Sequence, residues 1–227
     1  MESILDYAHP YVCTDAVLFS IKTLEAGSYR KLPEISLRVL MHQRESEPYQ
    51  NKWCLPGGFL NIDELPEDNI RRKLSAKIAV DGCWLEQLYT FCDLDRDPRA
   101  RVISIAYLGL VSEADAKGFE GKATWFDVKE ITQADVGFDH GSIVRIALER
   151  LQSKILYTNI IFNLLPEEFT LTQLQNVYET ILGKKDQAAN FRRKIIDMVQ
   201  ETDKYTGYKG HRPAKLYTQK KEANQHE

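Results

Sequence analysis

Four cysteines are few for 227 residues, and none of them, Cys13, Cys54, Cys83 or Cys92, stands at CxxC spacing. That absence removes zinc-ribbon and thioredoxin-type chemistry and leaves buried free thiols as the expectation in a reducing compartment. No run approaches the 18 or so apolar residues that a membrane span needs, and the start, MESILDYAHPYVC, has neither a basic leader nor a clean hydrophobic stretch. A soluble, cytoplasmic chain with no membrane partner is expected. Internal repeats and low-complexity tracts are lacking too, while 43% hydrophobic composition argues for a buried core. The net charge is only −3, which gives no overall acidic or basic character.

That small net charge conceals a polarity. Residues 184 to 221 hold eleven Lys or Arg against four acids, so the remainder of the chain is acidic. An acidic body with a basic end suggests a nucleic-acid-facing terminus, although a solvated basic tail would have the same composition.

The most informative segment is GGFLNIDELPEDNIRRKLSAKIAV, residues 57 to 80. Pro66 suits a first helical turn, and Glu67 and Asp68 favour the helix dipole there. Ile70, Leu74 and Ile78 make an i, i+4, i+8 apolar stripe, as in any packed helix. With the entry Leu55-Pro56-Gly57-Gly58-Phe59, the segment resembles a Nudix box, the glycine-loop-helix signature of nucleoside-diphosphate hydrolases. Gly58 takes the pattern's first Gly, Glu64 its first Glu and Arg72 its Arg, whereas its three helix glutamates fall on Lys73, Ala76 and Lys77 and its closing Gly on Ala79. Those three positions share one helix face. Where an enzyme of the family gathers carboxylates around Mg²⁺, this face has two ammonium groups, and unit charges about 4 Å apart interact by roughly 4 kcal/mol near a protein surface. Metal-dependent phosphoanhydride cleavage is therefore not expected, and no metal or cofactor is expected.

Around the box the chain alternates. Strands are predicted at Tyr11 to Ser20, Ile35 to Gln43, Leu85 to Cys92, Arg101 to Val111 and Ala123 to Phe126, with a connection over 21–34. Helices are predicted near 66–78 and from about Gly141 to Leu156. From Asn159 the character changes. An apolar entry, Ile160 to Pro166, leads to a helix capped by Thr170 or Thr172 and closed by Gly183. A second helix follows from about Asp186 to Met198, then two short segments, Val199 to Asp203 and Ala214 to Thr218, around Gly207, Gly210 and Pro213. Two helices and a basic hairpin describe a winged helix-turn-helix. The predicted class is α+β, with a Nudix-like mixed sheet and packed helices in residues 1–157 and a winged helix-turn-helix in 158–227.

On the second helix, Ala188, Phe191, Ile195 and Met198 form the expected core stripe, with Asn190 and Arg193 opposite and Arg192 and Lys194 on the flanks. Asn and Arg read adenine and guanine in the major groove, and flanking cations meet phosphates. Lys209, His211, Arg212 and Lys215 would be wing contacts. A degenerate box followed by Phe162-Asn163-Leu164-Leu165-Pro166-Glu167-Glu168-Phe169-Thr170, by Asn190-Phe191-Arg192-Arg193-Lys194, and by Gly210-His211-Arg212-Pro213-Ala214 is similar to the Nudix-related transcriptional regulators. The resemblance implies a homodimer on a palindromic double-stranded DNA operator, with repression and activation both open, and a sensor for ADP-ribose, a related nucleotide of NAD metabolism, or a sugar. Candidate effector contacts are Arg44, Gly57, Gly58, Arg72, Lys73, Lys77, Arg99 and Arg101. The rival from another class is a hydrolase using Glu64, Glu67, Asp95 or Asp97. RNA binding is disfavoured by the lack of an aromatic stacking surface on the basic helix.

Overall fold

Nine described strands and five described helices account for the alternation read from the sequence. The structure, a computed structural model, describes residues 3, 6–24, 34–78, 83–118, 123–131, 136–207 and 213–220, with backbone only for 76–78 and 117–118. Lys209, His211 and Arg212 lie outside the described residues, as do Ala79 and the side chains of Ala76, Lys77 and Ile78.

The elements in order are β1 (Tyr11–Leu24), β2 (Glu34–Gln43), β3 (Trp53–Cys54), β4 (Gly57–Phe59), α1 (Pro66–Ile78), β5 (Trp84–Phe91), β6 (Val102–Leu110), β7 (Ala123–Asp127), α2 (Val128–Ile131), α3 (His140–Lys154), α4 (Leu171–Leu182), α5 (Ala188–Ile195), β8 (Val199–Tyr205) and β9 (Lys215–Gln219). The first seven strands form one mixed sheet centred on β1. Strand β1 runs parallel to β6, with Tyr11 opposite Val102, and antiparallel to two partners in succession. Its first half pairs with β4, Thr14 opposite Gly58, and its second half with β2, Phe19 opposite Val39.

Burial along β1 is continuous from Cys13 to Ile21 because both faces of the sheet are covered. Alternate side chains enter different cores. Ala16 and Leu18 pack with Leu40, Ile70 and Leu74 beneath α1, while Val17, Phe19 and Ile21 pack with Val39, Ile143, Val144 and Ala147 beneath α3. The second core does not stop at the sheet. It continues through Ile161 and Leu164 into Leu174, Val177 and Ile181 of α4, Phe191 and Ile195 of α5, and Tyr217 of β9. Polar ties cross the same boundary: Thr180 Oγ1 donates to the Ile35 carbonyl at 3.3 Å, Gln152 Nε2 to that of Ile181 at 2.8 Å, and the Tyr178 hydroxyl to that of Ile155 at 2.9 Å.

Several sequence expectations are resolved or corrected. Thr170, rather than Thr172, caps α4, in a capping box in which its Oγ1 accepts from Gln173 N at 3.1 Å and Gln173 Oε1 accepts from Thr170 N at 2.8 Å. Gly183 ends that helix with φ 68°, the left-handed backbone that favours glycine. The next helix is shorter than 186–198. Asp186 is used in the preceding turn, where its N–H donates to Glu179 Oε1 at 3.0 Å and its carbonyl accepts from Gln175 Nε2 at 2.9 Å, and residues 196–198 tighten into a 3₁₀ turn. Ala188 is accordingly exposed, and the core stripe reduces to Phe191 and Ile195 with Met198 half-buried. The connection over 21–34 is narrower, since β1 runs on to Leu24 and β2 begins at Glu34. Of the cysteines, Cys13 and Cys54 are buried free thiols, but Cys83 is half-buried and Cys92 exposed.

A core shared by sheet and winged helix should unfold as one. Leu174, fully buried in α4, is expected to lose about 2–5 kcal/mol of stability when changed to Ala. The three tryptophans, Trp53, Trp84 and Trp125, all lie in the sheet, so the denaturation midpoint of their fluorescence should fall in Leu174→Ala. An unchanged midpoint would show the two parts to be energetically separate.

Candidate functional site

A cleft of about 90 Å³ opens where β1, β4, the loop after β5 and the head of α3 meet, lined among others by Asp15, Arg44, Gly57, Gly58, Phe59, Arg96, Arg99, Phe138 and His140. Its floor is a buried charge cluster. Arg96 donates from Nε and Nη2 to both oxygens of Asp139 at 3.0 and 2.8 Å and lies 3.6 Å from Asp15 Oδ2. Burial alone would weaken this cation, but Asp139 and Asp15 outweigh it and its pKa is raised. Asp15 also accepts from the Ser104 hydroxyl at 2.6 Å. Asp139 stands at the N-cap of α3 yet makes no side-chain cap bond, its carboxylate being given to Arg96.

His140 is fixed as a neutral imidazole. Its Nδ1 accepts the Leu55 N–H at 2.9 Å, leaving Nε2 to carry the proton toward Asp15 Oδ1 at 3.8 Å. Burial pushes its pKa down against the pull of Asp15 and Asp139. Burial also raises the Cys13 thiol to about 12, so it stays protonated and unreactive. Gly57 is sterically required, because a Cβ there would stand 2.1 Å from the Thr14 carbonyl and 2.5 Å from Asp15 Oδ1.

The rim is cationic and aromatic. Arg99 Nε and Nη2 hold Asp97 at 2.9 and 2.7 Å, which keeps that carboxyl below its usual range. The Arg99 guanidinium lies over Phe59 at 5.5 Å and Phe138 at 5.8 Å, and that of Arg44 over Phe138 at 5.1 Å. Phe138 has φ 56°, a costly conformation for a bulky residue, and it carries the ring between these cations.

The box helix is held by its own residues. Arg72 donates to both Glu64 oxygens at 2.6 and 2.7 Å, and Asn69 adds a third bond at 2.8 Å. The Arg72 hydrogen bonds, followed by that from Asn69, hold Glu64 down at about 2. Buried Asn69 also donates to the Phe59 carbonyl at 2.9 Å and accepts from the Thr14 hydroxyl at 2.6 Å, anchoring α1 to β4 and β1. Among the described residues no group of three or more His, Cys, Asp or Glu is gathered as a metal ion requires.

Of the candidate effector contacts, Arg44, Gly57, Gly58 and Arg99 come together in the cleft. Lys73 lies over Gly58, at the edge. Arg72 and Arg101 do not line it: Arg72 is engaged by Glu64, and Arg101 Nη1 donates to the Cys92 and Asp93 carbonyls at 2.7 and 3.0 Å. Asp15, Arg96, Phe138, Asp139 and His140 escaped the sequence reading of the site. The signal available for Arg96 was its place beside Asp97 and Arg99, both already candidates.

On α5, Asn190, Arg192, Arg193 and Lys194 are all exposed. Arg193 Nη2 donates to Asn190 Oδ1 at 2.6 Å, so the two form one polar edge. Arg192 reaches the Tyr217 hydroxyl at 3.4 Å, Lys194 lies over Tyr178 at 5.3 Å and Lys215 over Tyr205 at 4.9 Å. Antiparallel β8 and β9 form the wing, and β9 is tied to Phe169 by paired backbone bonds of 3.0 and 2.8 Å with Tyr217.

The mixed sheet with its glycine-loop-helix, followed by two helices and a hairpin, defines a Nudix domain joined to a winged helix. Residues 34–145 match the NUDIX domain family, and residues 161–218 match the NrtR DNA-binding winged helix domain. The chain is 33% identical over 224 residues to the ADPR responsive transcriptional repressor NtrR of Acinetobacter baylyi, covering 93% of this chain and 83% of that protein. Shewanella oneidensis NrtR, solved in complex with a 27mer DNA, superposes with a TM-score of 0.78 at 33% identity, covering 92% of this chain and 93% of that one. The NUDIX domain of the same protein, solved in complex with ADP ribose, gives a TM-score of 0.52 at 27% identity, over 66% of this chain and 94% of that one. The chain belongs to the NrtR family of Nudix-related transcriptional regulators. Among its described residues no helix is long and apolar enough to cross a membrane.

The neutral His140 has a measurable signature. The folded protein binds this proton more weakly than the unfolded chain, whose imidazoles titrate near about 6.5. Stability should therefore fall as pH drops through that value, and charging Nδ1 would set two donors, Nδ1–H and Leu55 N–H, against each other. In His140→Gln the decline between about pH 7 and 5 should be smaller. Equal slopes in urea titrations of the two proteins would refute the assignment.

Proposed function

We propose that this chain is an ADP-ribose-responsive transcriptional repressor, a homodimer in which residues 1–157 sense the ligand and dimerise and residues 158–227 bind a palindromic operator. The observation that carries this reading is the joining, through one apolar core, of a cleft rimmed by Arg44, Arg99 and aromatic rings to a winged helix that exposes Asn190 and Arg193. A cationic rim favours a nucleotide diphosphate over a neutral sugar, which needs no such charge. Its phosphates would lie toward Gly57 and Gly58, with Arg44 and Arg99 as contacts. A volume of about 90 Å³ takes part of a nucleotide, and the remainder would extend over Phe59 and Tyr11, exposed rings packed edge to face at 5.9 Å. Arg72 acts by fixing Glu64, and Arg101 by shaping the loop.

On DNA, Asn190 and Arg193 would meet base edges, Arg192, Lys194 and Lys215 the phosphates, together with Lys209, His211 and Arg212 of the wing. Two-fold symmetry in the protein would match two half-sites. Ligand shifts operator affinity only by binding the DNA-competent and incompetent shapes unequally.

The role is not enzymatic. Lys73 and Lys77 take sequence positions where the hydrolase pattern has glutamates, and the carboxylates elsewhere are committed: Glu64 to Arg72, Glu67 to Arg71 at 2.7 Å, Asp97 to Arg99. Asp95 is exposed and outside the cleft.

Operator binding should weaken steeply as salt rises, and saturating ADP-ribose should release the DNA. Arg193→Ala is expected to cost about 1–3 kcal/mol in operator affinity, read by fluorescence anisotropy, with loss of sequence preference. Operator affinity indifferent to ADP-ribose would end the sensor reading. Mg²⁺-dependent release of AMP from ADP-ribose, abolished by Glu64→Gln, would establish the hydrolase instead.

A further inference from the structure

The cations around the cleft differ in one respect. Arg96 is held by Asp139, Arg99 by Asp97, and Arg44 by the Pro48 and Glu47 carbonyls at 2.6 and 3.4 Å. Lys73 has no hydrogen-bond or ion-pair partner among the described residues. It is nevertheless half-buried and placed. Its chain crosses Gly58 so closely that a Cβ there would stand 2.8 Å from Lys73 Cε and 3.0 Å from Nζ. Gly58 lines the cleft, so the ammonium sits at its edge with three donors unspent. The acid groups nearby in the fold do not compete for it. Both Glu64 oxygens are taken by Arg72 and Asn69, and Asp15 faces Ser104, Arg96 and His140.

We propose that the Lys73 ammonium is a fixed cationic subsite for a phosphate group of the ligand, so that a diphosphate binds here without a divalent metal. This rests on the sensor reading of the sheet domain. A carboxylate face recruits phosphate only through a bridging cation, whereas an ammonium supplies charge and donors directly. Gly58 has a second role in this arrangement: any side chain there would displace the lysine that it seats.

The test is calorimetric titration of the full chain with ADP-ribose and, separately, inorganic pyrophosphate, first in EDTA and then in Mg²⁺. Wild type and Lys22→Gln, an exposed control on β1, should bind equally in both buffers. Lys73→Gln should weaken ADP-ribose by about tenfold or more, as expected for loss of a hydrogen bond to a charged group, with its ligand-free melting temperature unchanged. Lys73→Arg, which keeps the charge, should recover most of the affinity. Equal affinity in Lys73→Gln, a requirement for Mg²⁺, or no binding of either probe by wild type would overturn the proposal. Lys73-dependent binding without operator release would leave it standing and remove the regulatory reading. Operator release equally sensitive in Lys73→Gln would do the reverse.

Discussion

A guanidinium that is 3% exposed must have anionic partners, and Arg96 obtains them from two separate parts of the fold, Asp15 on β1 and Asp139 at the head of α3. Taking a charge out of water costs several kcal/mol, and a buried cation deprived of its carboxylates would bear that cost uncompensated. The loop carrying Arg96, the central strand and the start of α3 are thus held in one arrangement. Most of the cleft follows from it. His140 is brought to Leu55 N, Phe138 is turned toward Arg44 and Arg99, and Gly57 has to pass beside Asp15 without a side chain.

The same helix links the cleft to the winged helix. Fifteen residues of α3 span about 22 Å, with His140 in the cleft and Gln152 and Ile155 hydrogen-bonded to α4. Strand β2 provides a second route, since Thr180 of α4 donates to Ile35 while His42, at the other end of that strand, lines the cleft. Interiors packed this closely move as bodies rather than deform continuously. At the far end of α3 lies α4, and α5 packs on α4 through Phe191 and Tyr178, rings 5.3 Å apart. The compositional change near Asn159 is a change of element type, and the apolar core runs through it without a break.

The sequence disclosed whatever depends on local periodicity and end chemistry. Alternation in 35–41 placed β2, the i, i+4 stripe and Pro66 placed α1, and Thr170 with Gly183 bounded α4 because a capping box and a left-handed glycine are local devices. Strands β3 and β4, two and three residues long, carry no period and were missed. The charge cluster was hidden for another reason. Asp15, Arg96, Asp139 and His140 come from three segments of the chain, and apart from Arg96, which stands beside Asp97 and Arg99, nothing in their immediate neighbours marks them; only the parallel pairing of β1 with β6 and the docking of α3 make them adjacent. Spacing also did not disclose the partners of Arg72 and Arg101. A cation near a glycine loop suggests phosphate, but Arg72 is at helical reach of Glu64, and Arg101 is at the neck of a loop whose carbonyls need a donor.

Loss of carboxylates from a Nudix box is a loss for a hydrolase and a gain for a sensor. A divalent ion bridging a diphosphate polarises the bond that a hydrolase breaks, and an effector consumed at its own receptor would report its concentration poorly. An ammonium binds the same oxygens with less charge and no bound water to activate. The helix can then keep its packing role, with Ile70 and Leu74 beneath the sheet and Asn69 tying β1 to β4. Glu64 and Arg72 together hold the loop before α1 in shape, and Gly58 leaves room for the Lys73 chain. What remains of the signature is then what the loop and helix need to fold, and what is missing is what the metal needed.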